Sequence, residues 1–184
     1  KGFEIIANTW RGLRTLQWRE KSGADGGVCW KSAPKDQVTY DAIKGGWMSV
    51  RDYKAEPSDK EHVIEVSRHL VVKGVVRNAS TKEVIDNFTY IPGILWSVDG
   101  LPYWERLRAK PGKDGNFELE FTFPRYRHLV RVEADGFVPV HSRKLKGDEG
   151  RVELVFELKE AEDITGKVVD AEGKGVGGIR IIDA

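Results

Sequence analysis

Cysteine is almost missing from this chain. One residue, Cys29, among 184 excludes an intrachain disulfide and any cysteine-rich zinc site. It lies between Val28 and Trp30 in a strand-like run, so a buried, inert thiol is expected. A catalytic thiol needs a basic neighbour, and the sequence supplies none. Charge of one sign is lacking too: 30 Lys and Arg face 29 Asp and Glu, for a formal net charge of +1. That removes the simple electrostatic case for nucleic acid or an anionic membrane. Basic clusters such as Arg125-Tyr126-Arg127-His128 are expected to be solvated strand ends. No apolar run approaches the roughly 20 residues of a membrane helix, so no membrane insertion is expected. No segment keeps apolar residues at helical spacing long enough for a convincing helix. Lys1 is not a natural start, and the chain reads as an excised fragment whose upstream targeting is not legible.

Catalytic and metal signatures are missing as well. There is no Gly-x-Ser-x-Gly elbow, His-Glu-x-x-His helix or deaminase signature. His62, His69, His128 and His141 lack metal-ligand spacing, and His62 and His69 are expected at the surface. Asp25, Asp114, Asp135 and Asp170 sit beside or near glycines, where turn chemistry explains them; no dense carboxylate loop suggests calcium. Gly173-Lys-Gly-Val-Gly-Gly178 lacks the ending of a phosphate loop and reads as a turn. No catalytic residue, metal or cofactor is expected.

Short β runs are what the chain does contain. Candidates are Gly2 to Ala7, Val28 to Lys31, Gln37 to Ile43, Trp47 to Val50 and His62 to Ser67. Then come Leu70 to Val76, Phe88 to Ile91 (ended by Pro92-Gly93), and three strands within 112–158. Phe117, Leu119, Phe121 and Phe123 alternate with Glu118, Glu120 and Thr122. Val152, Leu154, Phe156 and Leu158 alternate with Arg151, Glu153 and Glu157, Val155 being out of step. Such period-two alternation is what a sheet with one buried and one wet face requires.

The runs recur. Phe3 answers Phe88, Asp25-Gly26 answers Asp114-Gly115, Pro34 answers Pro124, Gly46-Trp47 answers Gly136-Phe137 and Val63 answers Val152, at offsets of about 85 to 90 residues, a repeat of ordinary size. Ile164-Thr-Gly-Lys-Val-Val-Asp170 restarts the phrase begun at Val71-Val-Lys-Gly-Val-Val-Arg77. The expected division is a repeat over 1–68 without its first strand, a complete repeat over 69–161, and the opening strands of a third over 162–184. The near absence of a linker at Ser67–Leu70 predicts a semi-rigid rod. The ragged ends also suggest that the tail exchanges a strand with the first repeat.

Gly166-Lys-Val-Val-Asp-Ala-Glu-Gly-Lys-Gly-Val-Gly-Gly178 resembles the opening of carboxypeptidase regulatory-like domains. Asp114-Gly115-x-Phe117 and Val132-x-Ala134-x-Gly136-Phe137 resemble later strands of the same transthyretin-like (prealbumin-like) sandwiches. The likeness covers 70–160 well, 1–67 loosely and 162–184 as a fragment. Trp10-Arg-Gly12, Trp30-Lys-Ser-Ala-Pro34 and Gly46-Trp47-Met48 also look like repeats of large planctomycete-type bacterial multidomain proteins. The resemblance implies an all-β fold of tandem, Ig-like antiparallel β-sandwiches. It also implies a non-catalytic accessory role, in an extracytoplasmic setting, with other domains of the parent protein or a protein partner for company. Fold analogy is a weak warrant for function.

One feature exceeds what the fold needs. Trp10 and Trp18 stand eight apart in one long loop, and Trp96 and Trp104 eight apart in the matching loop. Arg19 and Arg106 follow the second Trp of each pair. Flat aromatic faces with polar edges suit a sugar ring, so these six residues are the candidate ligand site. Packing at the end of each sandwich is the competing explanation. Structural or protein interaction is the leading function, carbohydrate binding the alternative, and an enzyme third.

Overall fold

A computed structural model describes residues 2–58, 60–162 and 165–180. Apart from one 3-10 turn at Arg106–Arg108, every regular element in it is a β-strand. The first four are β1 (Glu4–Trp10), β2 (Arg19–Lys21), β3 (Val38–Ile43) and β4 (Val50–Ala55). They form one antiparallel sheet in the order β2-β1-β3-β4. The next eight are β5 (Leu70–Asn78), β6 (Phe88–Leu95), β7 (Tyr103–Trp104), β8 (Lys110–Gly112), β9 (Asn116–Phe121), β10 (Arg127–Glu133), β11 (Val140–His141) and β12 (Arg151–Leu158). These make two further sheets: β11-β10-β6-β7 with β8 also on β6, and β12-β5-β9. Every pairing is antiparallel except β12 with β5.

The two later sheets close on a single core. Leu70, Val72 and Val76 of β5, Phe117, Leu119 and Phe121 of β9, and Phe156 and Leu158 of β12 meet Phe88 and Tyr90 of β6 and Val130 and Val132 of β10. The alternation read in β9 and β12 thus serves a β-sandwich, each large side chain contributing roughly 1.5–3 kcal/mol when fully buried. Gly74 is required here: a Cβ at that position would lie 2.0 Å from the Phe117 ring.

β6 outruns its expected end at Pro92. β8 pairs with Phe88–Tyr90 and β7 with Gly93–Ile94, so Pro92 falls between the two partners. Its carbonyl accepts from the Glu105 amide on that same side. The missing N–H therefore faces a gap in the ladder, a tolerated place for proline in a strand.

Several expectations are corrected. Val28–Lys31 and His62–Ser67 form no ladder, and Cys29 is exposed rather than buried. Both segments lack a strand to pair with, so their period-two pattern has no sheet to join. Phe123 lies beyond β9 and is 47 % exposed, with the Arg51 guanidinium over its ring. His128, expected at a solvated strand end, is 1 % exposed, because β10 carries it into the sandwich against Phe121.

The first sheet has a thinner buried layer: Ile5, Ala7, Val38 and Ala42. It is joined to the sandwich through residues 46–51. The Met48 amide donates to the Ser67 carbonyl and the Ser49 amide to that of Thr122, while Trp47 bridges to Arg68. Met48 itself is 5 % exposed and belongs to the sandwich core.

Candidate functional site

The six candidate residues fall on two separate loops. In the first, Trp10 ends β1, and its indole N–H donates to Asp36 Oδ1. Arg11 Nε donates to Asp36 Oδ2 at 2.7 Å, and its guanidinium lies 4.8 Å from the Trp10 ring centre. The Trp10 and Arg11 hydrogen bonds hold the Asp36 carboxyl below the usual carboxylate range. Trp18 is not paired with Trp10. It stacks on Trp30, with centroids 4.8 Å apart and planes within 5°, and meets the Tyr40 ring edge-on at 6.3 Å. Burial pushes the Tyr40 hydroxyl up from its ordinary value. Arg19 is exposed and pairs with Glu4 at 3.7 Å.

In the second loop, Trp96 lies just past β6, 63 % exposed, with the Arg125 guanidinium 4.7 Å from its ring. Trp104 lies on β7 against Gly93, where an added Cβ would come within 2.4 Å of the indole. Arg131 and His141 flank that ring at 5.7 and 6.1 Å. Arg106 grips Glu133 with two hydrogen bonds of 3.2 and 3.0 Å, and Arg131 Nε adds a third. Burial alone would raise the Glu133 carboxyl, but the two arginines hold it below its ordinary value. Among the described residues no ring contact joins Trp96 to Trp104. The structure thus sets out four separate indoles, each with its own cationic or aromatic partner.

Chemically, these groups can stack, donate and pair. Val98, Leu101, Tyr103 and Leu107 of the same 96–108 stretch are also exposed. A shallow depression of about 610 Å³ on the outer face of β12-β5-β9 is lined by Lys73, Val75, Glu118, Glu153 and Val155. There Lys73 and Glu118 pair at 3.7 Å. Among the described residues no group of three His, Cys, Asp or Glu could hold a metal ion.

Sequence reasoning overlooked three residues. Trp30 is the true partner of Trp18, and no spacing rule announces a contact across that loop. Trp47 packs at the junction, 5.5 Å from Phe3 and 4.1 Å from the Arg68 guanidinium. His128 is buried with neither ring nitrogen hydrogen-bonded. Burial, with smaller contributions from Arg125 and Arg108, lowers it to about 4.

The fold therefore places the chain among all-β proteins with an antiparallel β-sandwich. No protein-family model matches it, and no curated protein does. Among solved structures it is similar to GBS52, the minor pilin of Streptococcus agalactiae, at 10% identity and a TM-score of 0.43, over 92% of this chain and 86% of that one. A streptococcal ancillary pilin is similar at 12% identity and a TM-score of 0.36, over 88% of this chain and 57% of that one. No helix is long and apolar enough to cross a membrane among the described residues.

Proposed function

We propose that this chain is a non-catalytic structural and protein-interaction module of a larger bacterial protein, built from repeated transthyretin-like units. The observation that carries the reading is the junction. Met48 leaves the first sheet and fills the sandwich core, while the backbone bonds from Met48 and Ser49 tie the same turn to Ser67 and Thr122. A buried side chain and a pinned backbone resist bending, which is what a spacer requires. The order β2-β1-β3-β4 matches β7-β6-β10-β11 strand for strand, which supports units over 1–68 and 69–161; the third, opening at 162–184, rests on the repeated phrase alone. The resemblance to carboxypeptidase regulatory-like repeats agrees with this reading, of which an extracytoplasmic location is a further part. The partners are other domains of the parent protein or a separate protein.

Spin labels on cysteines introduced at Lys54 of β4 and Glu153 of β12, both exposed strand positions, with Cys29 replaced by serine, test the joint. One narrow distance distribution is expected, and a broad one spanning many separations refutes the rigid spacer. A second reading, carbohydrate binding, is favoured by the exposure of Trp96 and of Tyr103 in the same loop. Retardation of the chain in a polysaccharide affinity gel, lost in Trp96→Ala, would support it; equal mobility with and without polysaccharide would end it.

A further inference from the structure

Arginines that lie over aromatic rings are mostly engaged elsewhere as well. Arg11, Arg51 and Arg131 lie over Trp10, Phe123 and Trp104, and each also pairs with a carboxylate, of Asp36, Asp41 and Glu133. Arg68 lies over Trp47 at the junction between the first sheet and the sandwich. Arg125 and Arg127 differ. The first lies 4.7 Å from the Trp96 ring centre and the second 4.3 Å from that of Tyr126. Neither meets a carboxylate among the described residues; each donates instead to a backbone carbonyl.

These four residues form one patch. β10 pairs with β6 at Arg127 and Leu95, so Tyr126 and Trp96 stand at the same end of two neighbouring strands, and the Arg125 guanidinium reaches the Trp96 ring. Trp96 is 63 % and Tyr126 38 % exposed. Arg125 Nη1 donates to the Pro124 carbonyl at 2.9 Å and Arg127 Nη1 to the Tyr126 carbonyl at 2.6 Å. One bond of that kind, with the ring beneath, holds each guanidinium in place and leaves other donors of its planar fork free. The charge is not cancelled locally: after burial, Arg125 contributes most to lowering the neighbouring His128.

Resting on the carbohydrate reading of Trp96, we propose that Trp96, Arg125, Tyr126 and Arg127 bind an acidic polysaccharide, a polymer of uronic-acid type. A uronate ring offers an apolar C–H face and a carboxylate at its edge. The two exposed aromatic rings suit the face. The guanidiniums beside them suit the carboxylate, which a planar fork can take through two parallel hydrogen bonds. A neutral sugar would leave both cations without a partner. A densely charged chain such as nucleic acid asks for a longer basic stripe than two arginines in a protein of formal net charge +1.

Polygalacturonate and its fully methyl-esterified form, each immobilised, supply the test, because the rings are the same and the charge is not. The native chain should bind the acid at least fivefold more tightly than the ester, and added salt should weaken the acid's binding alone. Arg125→Gln with Arg127→Gln should weaken the acid about tenfold and leave the ester unchanged, which also shows that the aromatic faces are intact. Trp96→Ala should weaken both. Arg14→Gln, the loss of an exposed charge elsewhere, should change neither, and circular dichroism should be the same for every variant. Equal binding of acid and ester, or an Arg14→Gln loss as large as that of the double variant, overturns the acidic ligand and leaves the carbohydrate reading standing. Binding of neither polymer overturns it too, and the affinity gel then decides the carbohydrate reading by itself. Tighter binding to single-stranded oligothymidylate or to phosphatidylglycerol vesicles, lost in the same double variant, overturns it in favour of nucleic acid or lipid.

Discussion

His128 is where a single residue most affects how this protein responds to its surroundings. Its ring is buried against Phe121, neither nitrogen has a partner, and its pKa falls to about 4 from an ordinary 6.5. The folded state therefore binds this proton more weakly than the unfolded chain does. Stability from the neutral ring is complete above pH 6.5 and declines as pH falls toward 4, below which the loss levels off. A shift of that size corresponds to about 3 kcal/mol. Urea unfolding of the native chain at pH 7.5 and 4.5 should differ by more than that of His128→Leu, by an amount of this order. Equal pH dependence in both proteins would show that the ring is protonated in the fold or already hydrated. At neutral pH the leucine variant should be no less stable, since it removes two unsatisfied polar atoms.

At the scale of the element, what decides a strand is whether it has a neighbour. Glu118 and Glu120 alternating with Phe117, Leu119 and Phe121 marked β9 from sequence alone, as Arg151, Glu153 and Glu157 marked β12. Val28–Lys31 and His62–Ser67 carry β-rich composition too, yet join no ladder. Local pattern records a strand's preference; the ladder depends on residues far away. The tryptophans show the same limit. Their recurrence eight apart was legible, but Trp18 stacks on Trp30 and Trp96 meets Arg125, since side-chain partners across a loop leave no periodic trace. His128 was misjudged because three neighbouring polar residues outweighed the strand that carries it inward.

β5 supplies the element-level test. Gly74→Ala would place a methyl into the Phe117 ring. Overpacking of this kind costs about 1–3 kcal/mol, and a lower urea midpoint should report it. Gly166→Ala, at the matching but exposed tail position, should leave the midpoint unchanged. Hydrogen exchange should also separate the halves in dilute solution. Amides of Phe117–Phe121 should be protected, whereas those of Val28–Lys31 should exchange quickly, as unpaired backbone does.

Across the whole molecule, the first sheet meets the sandwich through residues 46–51. The Met48 methyl and the His128 ring both crowd Gly147, lying 3.2 and 3.6 Å from where its Cβ would be, so one side chain from the first sheet helps complete the core of the next. Truncating a buried methionine to alanine costs about 2–5 kcal/mol. In most proteins that cost falls on the unit to which the residue belongs. Here Met48→Ala should lower the unfolding midpoint of the sandwich, read by exchange at Leu129–Val132, although the substitution lies outside 70–158. It should also widen the distance distribution between labels on the two sides of the joint. Met48→Leu, which keeps most of the volume, should preserve both. If Met48→Ala destabilises only residues 4–55 and leaves the labelled distance narrow, the backbone bonds of Met48 and Ser49 alone set the joint. The sandwich would then be energetically independent of the sheet before it.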